Sequence, residues 1–463
     1  MARLALRSAA WSERWFPDAW IFAALGVVIV ALATLGFGST PVATMNAFGD
    51  GFWSLIPFTM QMAFIVIGGY VVATAPVVKR LIDRLAQIPR TGRGAICYIA
   101  FLSMLTSLLS WGFSLIFGGL LVRALAQRED LRMDYRAAGA AAYLGLGAIW
   151  AMGLSSSAAQ LQANPASMPP GLLAITGVLP FTSTIFLWQS LVMTACLITA
   201  SMLVCWFTAP SDQNARTARD YGITEGAAVP ELPPRQKPGE WLEYSPLLSI
   251  VIGVMGLGWL GHEFITKHAV SAIANLNTYN FLFLTVGLLL HWRPRSFLDA
   301  VTRSVPSTAG VLIQFPLYGG IAALLTKAQG FGGETLAHRL SQLFVHIAST
   351  DSFPAVMGLY SAVLGFFVPS GGGKWLVEAP YVMQAANDLH VHLGWAVQVY
   401  NAAEALPNLV NPFWMLPLLG VLGLKARDVV GYTFMQFVVH LPLVIGLLWL
   451  LGLTLQYVPP VMP

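Results

Sequence analysis

Residues 430–455, VGYTFMQFVVHLPLVIGLLWLLGLTL, contain no Asp, Glu, Lys or Arg. A helix needs roughly 18–20 apolar residues to cross the hydrocarbon core of a bilayer, and this stretch is long enough. Similar runs recur at 19–38 (AWIFAALGVVIVALATLGFG) and 186–207 (FLWQSLVMTACLITASMLVCWF). Composition agrees: 56% of the 463 residues are hydrophobic and 10% charged, against roughly 25% charged in a soluble domain. The chain therefore reads as an all-α polytopic membrane protein with the lipid bilayer as its solvent. Its formal charge of +4 reflects basic loops and gives no reason to propose nucleic acid. Cys97, Cys196 and Cys205 lie in apolar segments without C-x-x-C spacing, so neither a zinc site nor a disulfide framework is expected.

Lysines and arginines set the expected topology. Arg3, Arg7 and Arg14 place the N-terminus in the cytoplasm. Residues 4–15 read as an interfacial amphipathic helix and 19–38 as an uncleaved first span. A weakly charged loop then leads to span 53–75. The stretch 94–122 has Arg90 and Arg93 at one end and Arg123, Arg128 and Arg132 at the other. Its residues make roughly 43 Å of helix, too little for two full crossings. A hairpin re-entering from the cytoplasm and turning near Ser110-Trp111-Gly112 satisfies both basic flanks. Spans 137–160 and 186–207 follow, then a polar stretch, 209–245, expected as a disordered cytoplasmic linker. Spans 246–266, 279–292 and 305–326 come next. A second hairpin, 352–388, would enter from outside, before spans 393–424 and 430–455.

That order gives about nine spans, two hairpins and two halves of opposite orientation. The expected units are 1–208, the linker 209–245, and 246–463. Weak echoes join the halves: PFTMQMAF (57–64) resembles GVLIQFPL (310–317), aligning Gln61 with Gln314. Tyr143 and Tyr400 each stand twelve residues before a polar break, at Ser155 and Pro412. Inverted repeats with broken helices are a signature of secondary transporters, which bind substrate between the breaks. VPSGGGKWLVE (368–378) is the most conspicuous break. Exposed backbone at membrane depth is tolerated only where protein or a water-filled cavity surrounds it. A helix starting after Gly373 would turn free N–H groups toward an anion.

WFPDAWIFA (15–23), NAFGDGFW (46–53), MQMAF (60–64), SWGFSLIFG (110–118), VPSGGG (368–373), NPFWMLPLLG (411–420) and RDVVGY (427–432) together resemble the short-chain fatty acid transporter family. The resemblance runs nearly end to end and implies uptake of acetoacetate or butyrate-like monocarboxylates across a bacterial inner membrane. It further implies kinship with sodium–dicarboxylate carriers, whose hairpin tips and unwound helices hold substrate and cation and whose one domain moves like an elevator.

The candidate substrate site is then four breaks. These are Ser107, Ser110, Trp111 and Gly112; Ser155, Ser156 and Ser157; Ser370, Gly371, Gly372 and Gly373, with Lys374; and Asn408, Asn411 and Pro412. Glu378, Glu404, Gln61 and Gln314 are candidates for the coupling ion, H+ or Na+. Glu404 either carries a proton or pairs with a basic group. Lys374 either meets the substrate carboxylate or pairs with Glu378, four residues on. His390 and His392 form an H-x-H without a third ligand in view, so a surface role is expected. No other cofactor and no catalytic residue is expected. Two readings stay open beside the monocarboxylate carrier, a carrier for another small organic anion such as a dicarboxylate and a membrane-embedded enzyme; assembly as a homodimer is open for any of them.

Overall fold

The computed structural model describes residues 19–461 except 55, 164, 166, 167, 169, 224–231, 233, 268, 367, 368 and 370. The interfacial helix expected at 4–15 and Ser370 lie outside the described residues. Among the described residues the chain is helical, with two isolated β-bridges and no strand. It opens with α1 (Ala19–Gly36), α2 (Pro41–Ser54), α3 (Ile56–Thr74) and the short amphipathic α4 (Pro76–Leu85). Next come α5 (Gly92–Ser107), α6 (Trp111–Ala126), α7 (Tyr135–Leu144), α8 (Ser157–Ala163), α9 (Pro170–Thr176) and α10 (Trp188–Thr208). Then α11 (Leu247–Thr266) and α12 (Ala269–Ala274) precede α13 (Leu276–His291), α14 (Pro294–Ser304), α15 (Ala309–Thr326) and α16 (Leu336–Ile347). The last five are α17 (Phe353–Gly365), α18 (Gly371–Asp388), α19 (Leu393–Asn408), α20 (Leu416–Leu422) and α21 (Ala426–Gly452).

Six helical runs among the described residues are long and apolar enough to cross a membrane, or seven if the bent pair α19–α20 counts as one. They cover seven of the nine expected spans. The other two, 19–38 and 279–292, correspond to shorter apolar helices. The runs differ in what surrounds them. Of an 18-residue apolar stretch within Tyr135–Ala163, 94% is buried within the protein, against only 22% within Pro238–Thr266 and 28% within Ala426–Gly452. On α11, Val251, Ile252, Val254 and Met255 face outward. Apolar side chains exposed along a spanning helix fit lipid, and a broken helix inside the protein is shielded from it.

Three local expectations are corrected. Residues 41–54 form a helix, not a loop. PVATMNAFGDGFWS is only mildly apolar, but Thr44, Ala47 and Gly51 make a buried face. A Cβ on Gly51 would collide with Ala323 and the Gly319 carbonyl of α15, so small residues let the two helices approach closely. The front of the 209–245 stretch is ordered. Asp134 accepts the Arg216 N–H at 3.0 Å, the Tyr135 N–H donates to the Arg216 carbonyl at 2.8 Å, and Thr217 and Asp220 close a capping box. Finally, α18 begins at Gly371, so the glycines form its first turn. Helix α17 ends at Gly365, and in the first hairpin α5 ends at Ser107 before α6 begins at Trp111.

Candidate functional site

Both hairpins close at their ends. Arg128, just past α6, donates to the Pro89 carbonyl at 2.6 Å and the Ala86 carbonyl at 3.2 Å, just before α5. Thr350, before α17, donates to the Leu389 carbonyl past α18 at 2.9 Å. Helices α5 and α6 each have 16 residues, about 24 Å at the usual rise and short of a hydrocarbon core of about 30 Å.

At the turn of the first hairpin, Ser110 caps α6 by accepting the Phe113 N–H at 3.2 Å. That turn joins the break in the run Tyr135–Ala163. The Leu154 N–H donates to the Leu108 carbonyl at 2.8 Å, and the Trp111 N–H to Ser155 Oγ at 3.1 Å. The break itself is a gradual unwinding: α7 passes into a π turn at Gly145–Ile149 and a 3-10 turn at Trp150–Met152 before α8 restarts at Ser157. These bonds satisfy backbone groups that the interrupted helices leave over.

The second hairpin joins the other broken helix in the same manner. Helices α19 and α20 are bent by 75° across a short break. Trp414 Nε1 donates to the Pro369 carbonyl at 2.9 Å and Asn411 Nδ2 to the Phe366 carbonyl at 3.4 Å. Asn411 Oδ1 also accepts the Phe413 N–H at 3.0 Å. The two assemblies then meet. The Trp111 and Trp414 rings lie edge-to-face at 5.1 Å, and Tyr143 donates to the Asn408 carbonyl at 3.0 Å. Gly371 packs so closely on Trp150 that a Cβ would enter its ring. All four breaks thus gather at one buried place.

Behind the second hairpin sits an ion cluster. Lys374 Nζ lies 2.7 Å from Glu404 Oε2 and 3.1 Å from Glu378 Oε1. It also donates to the carbonyl and Oγ of Ser361, each at 2.8 Å, and Ser361 Oγ donates to Glu378 at 2.8 Å. Tyr400 connects the cluster to the tip: its ring is 4.6 Å from Lys374 Nζ, and its hydroxyl donates to the Gly371 carbonyl at 2.7 Å. Lys374, Glu378, Glu404 and Ser361 are all at most 1% exposed. Charge at that depth is costly unless paired, and here three helices supply the partners.

The sequence pattern of the short chain fatty acid transporter family matches residues 1–451. This chain belongs to that family. Curated relatives agree. A protein of Escherichia coli (strain K12) named for short-chain fatty acid transport is 33% identical over 445 residues, covering 96% of this chain and 97% of its own length. A protein of Haemophilus influenzae with the same name is 31% identical, covering 95% and 97%. The YdaH transporter of Alcanivorax borkumensis aligns over 96% of this chain at 13% identity with a TM-score of 0.49, a likeness that carries no argument here. Membership makes the protein a transporter, and the membrane-enzyme alternative falls away.

In this family member the structure brings most of the expected residues together. Ser110, Trp111, Gly112 and Ser155 share one junction, where Ser156 Oγ and Ser107 Oγ are buried without a hydrogen-bond partner. Ser157 starts α8, and Gly372 and Gly373 lie in the first turn of α18. Asn408 is buried with neither amide atom bonded, and Pro412 leads into the 3-10 turn Phe413–Met415. Lys374 and Glu378 form the anticipated pair, but Glu404 joins it. The glutamines lie elsewhere. Gln61 donates to Asn277 at 2.9 Å and its carbonyl accepts from Asn280 at 3.0 Å, linking α3 to α13. Gln314 is buried in α15 with Oε1 unbonded. His392 caps α19 by accepting the Trp395 N–H, and His390 packs on Tyr457. Sequence reasoning passed over Trp150, Ser361 and Trp414. Trp414 stood in the quoted NPFWMLPLLG motif, and its closeness to Pro412 was the one available signal.

Proposed function

We propose that this protein is a cation-coupled secondary carrier that takes up short-chain monocarboxylates such as acetoacetate and butyrate, by alternating access, in a bacterial inner membrane with its N-terminus cytoplasmic. The observation that carries this reading is the meeting of four helix breaks at one buried place. Unwound segments expose N–H and carbonyl groups where a ligand can use them. The donors there are backbone, hydroxyl, amide and indole groups, and Lys374 is the one buried lysine among the described residues. Such a site favours one carboxylate on a short apolar tail over two or three carboxylates.

The element order supports inverted repeats with re-entrant hairpins. In each half a span (α3, α15) is followed by an amphipathic surface helix (α4, α16), a closed hairpin, a broken helix and a long span (α10, α21). The ends of the first hairpin carry Arg90, Arg93, Arg128 and Arg132, whereas 347–352 and 388–392 at the ends of the second hold no Lys or Arg, which suits entry from opposite faces. Packing supports an elevator-like motion. Helices α1–α3, α11, α13 and α15 pack on one another, as do α5–α7, α10 and α17–α21, and α3 meets α6. At that seam a Cβ on Gly69 would lie 2.5 Å from the Gly112 backbone.

The test is uptake of labelled acetoacetate and butyrate into proteoliposomes, with pH and sodium gradients imposed separately. Saturable, gradient-driven uptake that short monocarboxylates inhibit is expected. Inhibition by succinate or citrate as strong as by butyrate would reassign the site to larger anions. For the hairpin, Arg90→Cys and Gln127→Cys should both react with an impermeant thiol reagent from the cytoplasmic side alone. Reaction of one from each side would make the segment a true crossing.

A further inference from the structure

One ammonium and two carboxylates share the interior behind the second hairpin, an excess of one negative charge if all three are ionised. Resting on the carrier reading above, we infer that Glu404 holds the coupling proton and that this proton admits the substrate by releasing Lys374. Lys374 has three N–H donors and four acceptors within 3.1 Å: Glu404 Oε2, Glu378 Oε1 and both oxygens of Ser361. With two hydrogen bonds to Ser361 and two carboxylates in ion-pair contact, the ammonium has no free face for a substrate carboxylate. Glu404 is buried with no hydrogen bond at either carboxylate oxygen, and beyond the ion pair at Oε2 its Oε1 is bare. A carboxylate in a dry interior with one oxygen bare is where a proton relieves the most charge.

Among the described residues no cation other than Lys374 acts on Glu404. The charged groups acting on Glu404 are Lys374 and Glu378 of α18. The titratable neighbours are otherwise tyrosines: Tyr360 of α17, Tyr381 of α18 and Tyr400 of α19. On α21, which packs along α19, His440 is bonded to Ser201 and the Gln436 carbonyl, Tyr432 faces Arg136, and Arg427 and Asp428 lie in the first turn. Helix α8 and the unwound stretch to Met152 carry no ionisable side chain.

The sequence of events keeps charge in balance. With Glu404 ionised, its carboxylate occupies Lys374 and an incoming anion meets net negative charge. A proton from water on the loading side binds Glu404, which becomes neutral and gives up its hold on the ammonium. The substrate carboxylate then takes that place, one turn from Gly371 and beside Tyr400. On the far side the anion leaves, the proton returns to water, and Glu404 closes again on Lys374. One proton moves with one monoanion, so the cycle carries no net charge. Glu378 keeps its hydrogen bond from Ser361 throughout.

The experiment uses the full chain in proteoliposomes with a trapped pH dye and labelled acetoacetate, corrected for diffusion into protein-free vesicles. For the native protein, each acetoacetate should enter with one proton, and an imposed voltage should leave uptake unchanged. Glu404→Gln should keep exchange of internal for external acetoacetate but lose its response to a pH gradient, whereas Glu404→Asp should regain it. Because the stoichiometry needs no variant, a poorly folded Glu404→Gln does not remove the test. Uptake driven by sodium with no proton entry, or a pH response intact in Glu404→Gln, overturns the inference and leaves the carrier standing. Absence of saturable uptake or exchange under any gradient overturns both.

Discussion

At the first pair of breaks, neutral groups hold the backbone: a serine hydroxyl takes the Trp111 N–H, and one carbonyl takes the Leu154 N–H. At the second pair, indole and amide donors do the same from Trp414 and Asn411, but one turn away lies a lysine between two glutamates. The geometry of the two junctions is shared and their electrostatics are not. Satisfying a broken helix needs only dipoles, so the charges behind the second hairpin are there for something else. On the carrier reading proposed above, this difference separates holding a substrate's shape from answering to an ion gradient.

The largest test of that contrast is Lys374→Met. It leaves two buried carboxylates without their cation, and removing one partner of a buried pair costs about 3–5 kcal/mol. Thermal unfolding in detergent should show a large loss of stability, and uptake should vanish. Neutralising the carboxylates as well, in a chain carrying K374M, E378Q and E404Q, should restore much of the stability and none of the coupled uptake. A triple variant no more stable than the single one would mean the three charges do not act together.

A smaller effect sharpens the steric side. Gly371→Ala drives a methyl group into the Trp150 ring, an overpacking that costs about 1–3 kcal/mol. Slower uptake with a modest loss of stability is expected, and Trp150→Leu in the same chain should recover part of both. If Gly371→Ala behaves as the native protein, the tip is not tightly seated on the first half. The smallest effect is expected from Tyr143→Phe, which removes one hydrogen bond to the Asn408 carbonyl, about 1 kcal/mol. It should lower the unfolding temperature slightly and leave the pH-gradient response of uptake intact. A change in that response would break the division between a neutral first junction and a charged second one.

Much of this architecture was legible in the sequence because hydropathy is a local property. The apolar runs, the basic flanks of 94–122 and the polar interruptions at Ser110, Ser155, Gly371 and Asn411 can be read within windows of a few turns. Where local signals conflicted, the reading failed. The mildly polar 41–54 stretch is helical because α15 offers it a surface of small residues, and 213–221 is ordered because Asp134 and Tyr135 bind its backbone. Nothing near either segment in sequence reports those partners.

The site divides along the same line. That Lys374 and Glu378 can pair follows from their spacing on a helix, and the sequence by itself determined an all-helical membrane chain with breaks at these positions. That Glu404 reaches the same ammonium, that Trp414 lies against both Trp111 and Pro369, and that Trp150 is pressed on Gly371 were decided by tertiary structure alone. The physical reason is reach. Propensity and hydropathy act over a turn or two, whereas an ion pair or ring contact depends on where whole helices come to rest, and that is settled by burying every surface of the bundle at once.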